Sequence, residues 1–391
     1  MCAEPAPLGL YVHLPWCVRK CPYCDFNSHA LGPAGLPEAD YVDALRRDLS
    51  GEWNEAREQQ RARPFSSVFF GGGTPSLFSA NAIGAILNHA ASTFGLSDGA
   101  EITLEANPGA VEYSALDELR ATGVNRLSMG AQSFDDKALA RLGRVHKAHE
   151  TVTAVRALRR AGFDNFNLDV MYALPEQSID QALADLDTAL ALKPTHLSHY
   201  QLTLEPNTLF HHDPPPLPDV DTAFEMHQRS LQRLDAGGFE QYEVSAYANA
   251  GLASQHNLNY WRFGDYVGVG AGAHGKITVE NGIQVQRSTK TRHPKAYLNG
   301  RGSGAGLRQI HTIAPGELPF EYALNQLRLK NEPLSLQAYG AATGADQQGL
   351  RPGIERAQQK GLLKALDSQT FCKTELGWRF LNDLQEQFLE R

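Results

Sequence analysis

The sequence predicts an α/β protein built on a parallel sheet, followed by a mostly helical, winged-helix-like C-terminal unit. Three observations predict it. Six short β-rich runs alternate with helical stretches between residues 9 and 200. Those helical stretches stop at Gly or Pro just before the next run, which is the usual punctuation of βα units. From residue 354 onward the pattern becomes helix, short β element, helix. Strands that alternate with helices lie parallel, joined by right-handed crossovers. The pattern fits a doubly wound sheet or an incomplete β/α barrel. Both collect chemistry at the C-terminal ends of their strands.

The β-rich runs are Gly9 to Leu14, Ser67 to Phe70, Glu101 to Glu105, Arg126 to Met129, Asn165 to Val170 and His196 to Tyr200. Helical patterns cover 38–60, 79–94, 112–122, 148–161 and 178–192. Gly123, Gly162 and Pro194 close the last three. Asp213-Pro-Pro-Pro-Leu-Pro218 is stiff and extended and reads as a linker. A helix follows over 221–237, then a region of aromatics, glycines and short β-like runs from 239 to 300 with no clear period. Residues 300–306, Gly-Arg-Gly-Ser-Gly-Ala-Gly, read as a flexible break. We therefore expect a partial barrel over 1–212, a linker and barrel-completing region over 213–305, and a helical domain over 306–391.

Composition narrows the function. The chain has 391 residues, enough for a core without disulfide staples. Lys and Arg number 36 against 44 Asp and Glu, a formal charge of −8 that argues against gripping nucleic acid phosphates. The N-terminal residues have neither a basic region nor an apolar core of the secretory kind. No stretch approaches the ~18 apolar residues of a membrane span. The expected compartment is the cytoplasm, with peripheral contact at the inner membrane left open. In a reducing compartment clustered cysteines favour metal over disulfides.

Three of the five cysteines are clustered in Cys17-Val-Arg-Lys-Cys21-Pro-Tyr-Cys24, directly after the first run. Three thiolates can hold a four-iron cluster and leave one iron open. A zinc site is the alternative, although zinc asks for four ligands or an open catalytic position. Phe70-Gly71-Gly72-Gly73-Thr74-Pro75 follows the second run, where glycines let a backbone approach a ligand closely. Glu105, Gln132, Arg144 and Asp169 stand at or just after the ends of later runs. Taken singly, each also reads as a cap or a surface ion pair.

Cysteine spacing and the order of these pieces resemble the radical S-adenosylmethionine (SAM) superfamily, in the oxygen-independent coproporphyrinogen oxidase family. The resemblance covers roughly residues 8 to 390. It implies a partial (β/α)6 barrel, a [4Fe-4S] cluster on Cys17, Cys21 and Cys24, and SAM on the open iron. It also implies SAM contacts from Gly72, Gly73, Thr74, Glu105, Gln132, Arg144 and Asp169, with Tyr11 and Tyr23 flanking the cluster.

Two groups share that pattern: coproporphyrinogen dehydrogenases, and HemW-type heme chaperones. The dehydrogenases carry a further cysteine two residues past the third, where this chain has Phe26. They also carry a long N-terminal extension, while the cysteines here begin at 17. His256-Asn-Leu-Asn-Tyr260-Trp261 resembles the HNxxYW motif of the HemW type, which is associated with heme. Imidazole is a standard axial ligand and aromatics pack on a porphyrin. The resemblance thus implies a heme chaperone, with heme near His256, Tyr260 and Trp261. A dehydrogenase or another radical SAM enzyme of tetrapyrrole metabolism is the alternative. Implied partners are heme and a heme-acceptor protein, with a membrane-associated respiratory enzyme and a homodimer as candidates, and no nucleic acid.

Other features carry less. Gly270-x-Gly272-x-x-Gly275 fits a dinucleotide fingerprint in letters only, because no βαβ frame encloses it. It reads instead as a tight loop near the barrel. His211-His212 reads as a solvated loop. His196 and His199 are three apart on a strand and face opposite sides. Cys372 reads as a small buried residue and Cys2 as mobile.

Overall fold

The computed structural model describes residues 7–110, 116–279, 284–300 and 308–390. Cys2, the start of the expected 112–122 helix and almost all of the glycine-rich break lie outside them.

The strands in chain order are β1 (Leu8–Leu14), β2 (Trp16–Cys17), β3 (His29–Ala30), β4 (Phe65–Gly72), β5 (Leu96–Ala106), β6 (Arg126–Gln132), β7 (Phe166–Tyr172) and β8 (His196–Gln201). They continue with β9 (Glu240–Gln241), β10 (Ala246–Ala248), β11 (Asp265–Val269), β12 (His274–Val279), β13 (Gln284–Lys290) and β14 (Arg308–Thr312). Strands β1, β4, β5, β6, β7 and β8 pair in parallel and in sequence order. That order is the partial barrel and excludes the doubly wound sheet, whose strand order reverses at a switch point. The aperiodic region 239–300 contributes to both flanks. β11 pairs with β1 in parallel, and β12, β13 and β14 follow as antiparallel strands. On the other side β10 and β9 extend β8. The resulting sheet has 12 strands among the described residues. The sequence reading expected this region to complete the barrel, but its individual strands escaped it because several are very short and glycine interrupts others, so no two-residue period develops.

The register sorts the side chains. One face carries Val12, Phe70, Leu104, Leu127 and Phe166 in a paired row, all buried in the main core. The helices cover this face, led by Glu38–Glu58, Ala80–Thr93, Ala148–Arg160 and Ile179–Ala191. Ser79 and Ser178 cap two of them through their hydroxyls, which accept from Ala82 N and Gln181 N. The opposite, lumen face is polar. Glu105, Ser128, Asn167 and His196 form one paired row. Buried polar groups cost free energy unless they are bonded or kept for a ligand.

Short helix Gln255–Trp261 packs against β4, β1 and β11. Glu101 on β5 holds its start, accepting from Ser254 Oγ, Gln255 N and His256 N, each at 3.1 Å. The C-terminal unit has its own core, including Tyr322, Leu336, Tyr339, Ile354 and Phe371. Its helices surround a small antiparallel sheet of Leu334–Ser335, Thr370–Lys373 and Leu363–Ala365. Cys372 lies on that sheet and is half-buried, not buried as expected. His211 and His212 end a short exposed helix, Leu209–His212, in place of the expected loop.

Candidate functional site: two clefts on one glycine wall

The cysteine loop and the glycine loop are stitched together by backbone. Gly73 N donates to Leu14 O at 2.9 Å and Thr74 N to Trp16 O at 2.7 Å. A Cβ on Gly73 would lie 2.4 Å from Trp16 O, so only glycine fits this approach. Gly72 has φ +118°, and a Cβ there would strike the His13 ring at 2.5 Å.

The first cleft, with a cavity volume of about 240 Å³, lies at the C-terminal ends of the strands. Cys17, Cys21 and Cys24 line it, as do Tyr23, Gly72, Gly73, Thr74, Glu105, Gln132, Arg144 and Asp169. Of the residues expected at the cluster and SAM, only Tyr11 lies elsewhere. Met171 and Tyr200, which sequence reasoning missed, also line the cleft. They are a lumen-facing pair at the ends of β7 and β8, and the parallel register was their only signal.

The electrostatics suit a cationic ligand beside thiolates. Burial pushes the Cys17 and Cys24 thiols up, opposed by the hydroxyls of Thr74 and Ser28 at Cys17 and by Ser28 at Cys24. Ser28 Oγ lies 3.6 Å from Cys24 Sγ. Arg144 Nη1 approaches Cys21 Sγ at 3.7 Å while its Nη2 donates to Gly130 O at 3.1 Å. Burial, then the nearby Asp169 carboxylate, pushes Glu105 up to about 8. Burial also raises Asp169, against bonds from Ser198 and Asn167. Asn167 Nδ2 donates to Asp169 Oδ1 at 2.7 Å. Gln132 is held at φ +60° beside a strand irregularity, with its Oε1 buried and without a hydrogen-bond partner among the described residues. Two buried carboxyls and an orphaned amide oxygen fit a ligand that brings an ammonium group, as SAM does.

The second cleft lies along β1, β11, β12 and β13 and has a cavity volume of about 560 Å³. Asp25, Phe26, Gly72 and Glu105 border both clefts. His256 and Tyr260 line the second one, together with Tyr11, His13, Tyr266, His274 and Arg292. Tyr11 therefore sits on the far side of the glycine wall from the cysteines, its hydroxyl 2.9 Å from His13 Nδ1. Its position on β1 points it along the row of Phe69, not toward the loop. Trp261 borders neither cleft. Its ring lies under the Arg328 guanidinium at 4.4 Å.

His256 is buried, stacked on Phe69 at 5.1 Å, with Nδ1 3.0 Å from Ser67 Oγ. Burial, and then the Arg126 charge, lowers it to about 4, so the imidazole is neutral near pH 7. A neutral imidazole whose second nitrogen is fixed by a hydrogen bond is the form that ligates a metal.

Gly270 and Gly272 have φ of +104° and +80° in the tight connection from β11 to β12. An antiparallel hairpin stands where a dinucleotide site needs a helix. His196 and His199 do face apart. His196 bonds Asn167 and Tyr242, and His199 bonds Val170 O.

Comparison with known proteins agrees with the geometry. Residues 11–189 match the radical SAM superfamily. The chain is 45% identical over 384 residues to the heme chaperone HemW of Haemophilus influenzae, covering 98% of each protein. It is 45% identical over 383 residues to HemW of Escherichia coli, again covering 98% of each, and 32% identical to that of Bacillus subtilis, covering 97% of this chain and 98% of that one. The solved coproporphyrinogen III oxidase HemN of Escherichia coli superposes with a TM-score of 0.80 at 21% identity, covering 98% of this chain and 90% of that one, which shows a shared fold. With a cysteine loop and glycine wall built as described, and 45% identity along nearly all of both chains, this chain belongs to the HemW family of the radical SAM superfamily.

Proposed function

We propose that this chain is a heme chaperone that holds heme in the second cleft and passes it to an acceptor protein. In this reading Cys17, Cys21 and Cys24 hold a [4Fe-4S] cluster in the first cleft, beside SAM. The observation that carries it is the shared wall: Phe26, Gly72 and Glu105 separate a thiol-lined cleft from one floored by His256 and Tyr260. The names of the HemW relatives support the same reading.

When bound, the cluster and SAM supply one-electron chemistry that no side chain can. The chain's own residues bind and orient. Glu105 and the Gln132 amide oxygen would accept from the amino group of SAM, Gly72 and Gly73 would let its backbone come close, and Tyr23, Thr74, Arg144 and Asp169 would border the rest. Glu105 also couples the clefts, because the same carboxyl borders both. His256 would ligate iron through Nε2, with Ser67 fixing the ring.

Among the described residues no helix is long and apolar enough to cross a membrane. An acceptor at the inner membrane would be met from outside the bilayer. A second copy of the chain is the other partner we propose to test for, by light scattering with and without heme.

Full-length protein with reconstituted cluster, titrated anaerobically with hemin, tests the proposal. A Soret shift at one hemin per chain, weakened by His256→Ala, is the expected result. No uptake, or vinyl product from coproporphyrinogen under reducing conditions with SAM, would overturn it.

A further inference from the structure

Three histidines line the second cleft, and they are not equivalent. His13 has both ring nitrogens engaged, by Tyr11 Oη at 2.9 Å and by Asn27 O at 2.9 Å. His256 lies on the buried floor with Nδ1 committed to Ser67. His274 stands at the exposed rim on β12, its Nδ1 3.3 Å from Thr289 Oγ1. Burial and the nearby Arg287 and Arg292 charges lower its pKa and keep the ring neutral.

His274 lines the same cleft as the floor. Phe69 pairs with Tyr11, Tyr11 with Gly268, and His274 with Thr289. Gly268 lies directly against His274, whose carbonyl oxygen would be 2.0 Å from any Cβ there. Paired residues on adjacent strands project from the same face. Phe69, Tyr11 and Gly268 therefore form one row, with His256 stacked on Phe69 at its inner end, and the His274 backbone lies over Gly268 at its outer end. The His256 ring and the Asn259 amide lie over Gly9, and the rings of Phe69 and Tyr11 over Gly71, so aromatic rings line the cleft on this side. Aromatic rings pack on a porphyrin.

The charges orient such a guest. Asp25 and Glu105 sit where the clefts meet, and Arg292 lies on the outer rim. Among the described residues the Arg292 guanidinium has no carboxylate within ion-pair distance, and its side chain is exposed. Carboxylates on the guest would turn away from Asp25 and Glu105 and toward Arg292.

We infer that His274 is a second axial ligand for the iron porphyrin in this cleft, and that Arg292 pairs with one of its carboxylates. The inference rests on the heme reading above and deepens it. His256 retains the iron from the buried side. His274, at the mouth, is the ligand an acceptor can reach. Transfer then begins as ligand exchange: the His274 nitrogen–iron bond breaks as a ligand atom of the acceptor bonds the iron, with no net electron or proton change. Tyr260 and Tyr266, whose rings pack 4.9 Å apart, close the inner end.

The test is hemin titration of full-length protein, read by optical and electron paramagnetic resonance spectra. Wild type should give six-coordinate low-spin ferric heme. His274→Ala, and His274→Gln as the milder variant, should give high-spin heme at unchanged stoichiometry, and added imidazole should restore the low-spin spectrum. Arg292→Gln should weaken hemin about tenfold but leave the dimethyl ester of hemin unaffected, because a hydrogen-bonded ion pair is lost. Low-spin heme that survives in both His274 variants would overturn the inference, as would wild-type heme that is high-spin. Equal losses for hemin and its ester in Arg292→Gln would overturn the carboxylate pairing. Wild type that takes up no hemin would instead sink the heme reading itself.

Discussion

The Gly72 amide donates to the Glu105 carboxyl across 3.1 Å, and both residues belong to the wall shared by the two clefts. Glu105 is buried beside Asp169 and is pushed up to about 8, so near neutral pH its carboxyl holds a proton. A ligand ammonium would favour the ionised form and release that proton. SAM affinity should therefore rise with pH up to about pH 8 by as much as about tenfold per unit, then level off. Calorimetry in buffers of different ionisation enthalpy should show proton release at pH 7, and Glu105→Gln should abolish it.

The same raised carboxyl has a sign for stability. The folded state binds a proton more tightly than the unfolded chain, whose group titrates near 4.5. Its contribution is present below about pH 4.5 and is lost as pH rises to about 8. Urea unfolding of the cluster-free protein should show a smaller loss over that range in Glu105→Gln.

Gly73→Ala should be among the most damaging small changes. Its Cβ would press on the Trp16 carbonyl, between two backbone bonds that tie the loops. Overpacking of this kind costs on the order of 1–3 kcal/mol. Denaturation should show that loss, and iron content after reconstitution should fall as the cysteine loop shifts.

Glu101→Ala should cost on the order of 3 kcal/mol or more, because it leaves Arg126 buried with its carboxylate partner gone. It also frees the start of helix Gln255–Trp261, so hemin binding should weaken even though Glu101 touches neither cleft. Hemin titration at a temperature where the variant stays folded separates the two effects.

Phe26 is 61% exposed, which makes its side chain nearly irrelevant to folding. Phe26→Ala should change stability by less than about 0.5 kcal/mol. Because the ring borders both clefts, the variant should nonetheless weaken hemin binding, measurable by the same titration.

Arg144→Ala removes the cation 3.7 Å from Cys21 Sγ. With less positive charge nearby, the reduced cluster is less favoured and its potential should move negative. Redox titration followed by electron paramagnetic resonance checks the direction.

Local chemistry was enough to read much of this protein from its sequence. Strand and helix order follows from residue periodicity and from glycine and proline stops. The cysteine loop and glycine loop are contiguous motifs, and Glu105, Gln132 and Asp169 stand in the C-terminal halves of their strands, while Arg144 follows the helix Asp136–Arg141; all four line one cleft. Only the tertiary structure decided how the lumen divides. Tyr11 falls on the far side of the wall from Cys17, and His274 on β12 faces the same cleft as His256 on the helix Gln255–Trp261. The physical reason is register. A strand's own pattern says which residues share a face, but the pairing of β1 with β4 and β11 sets which face of which strand meets it. The short edge strands, stabilised by pairing and not by their own periodicity, left no such signal in the chain.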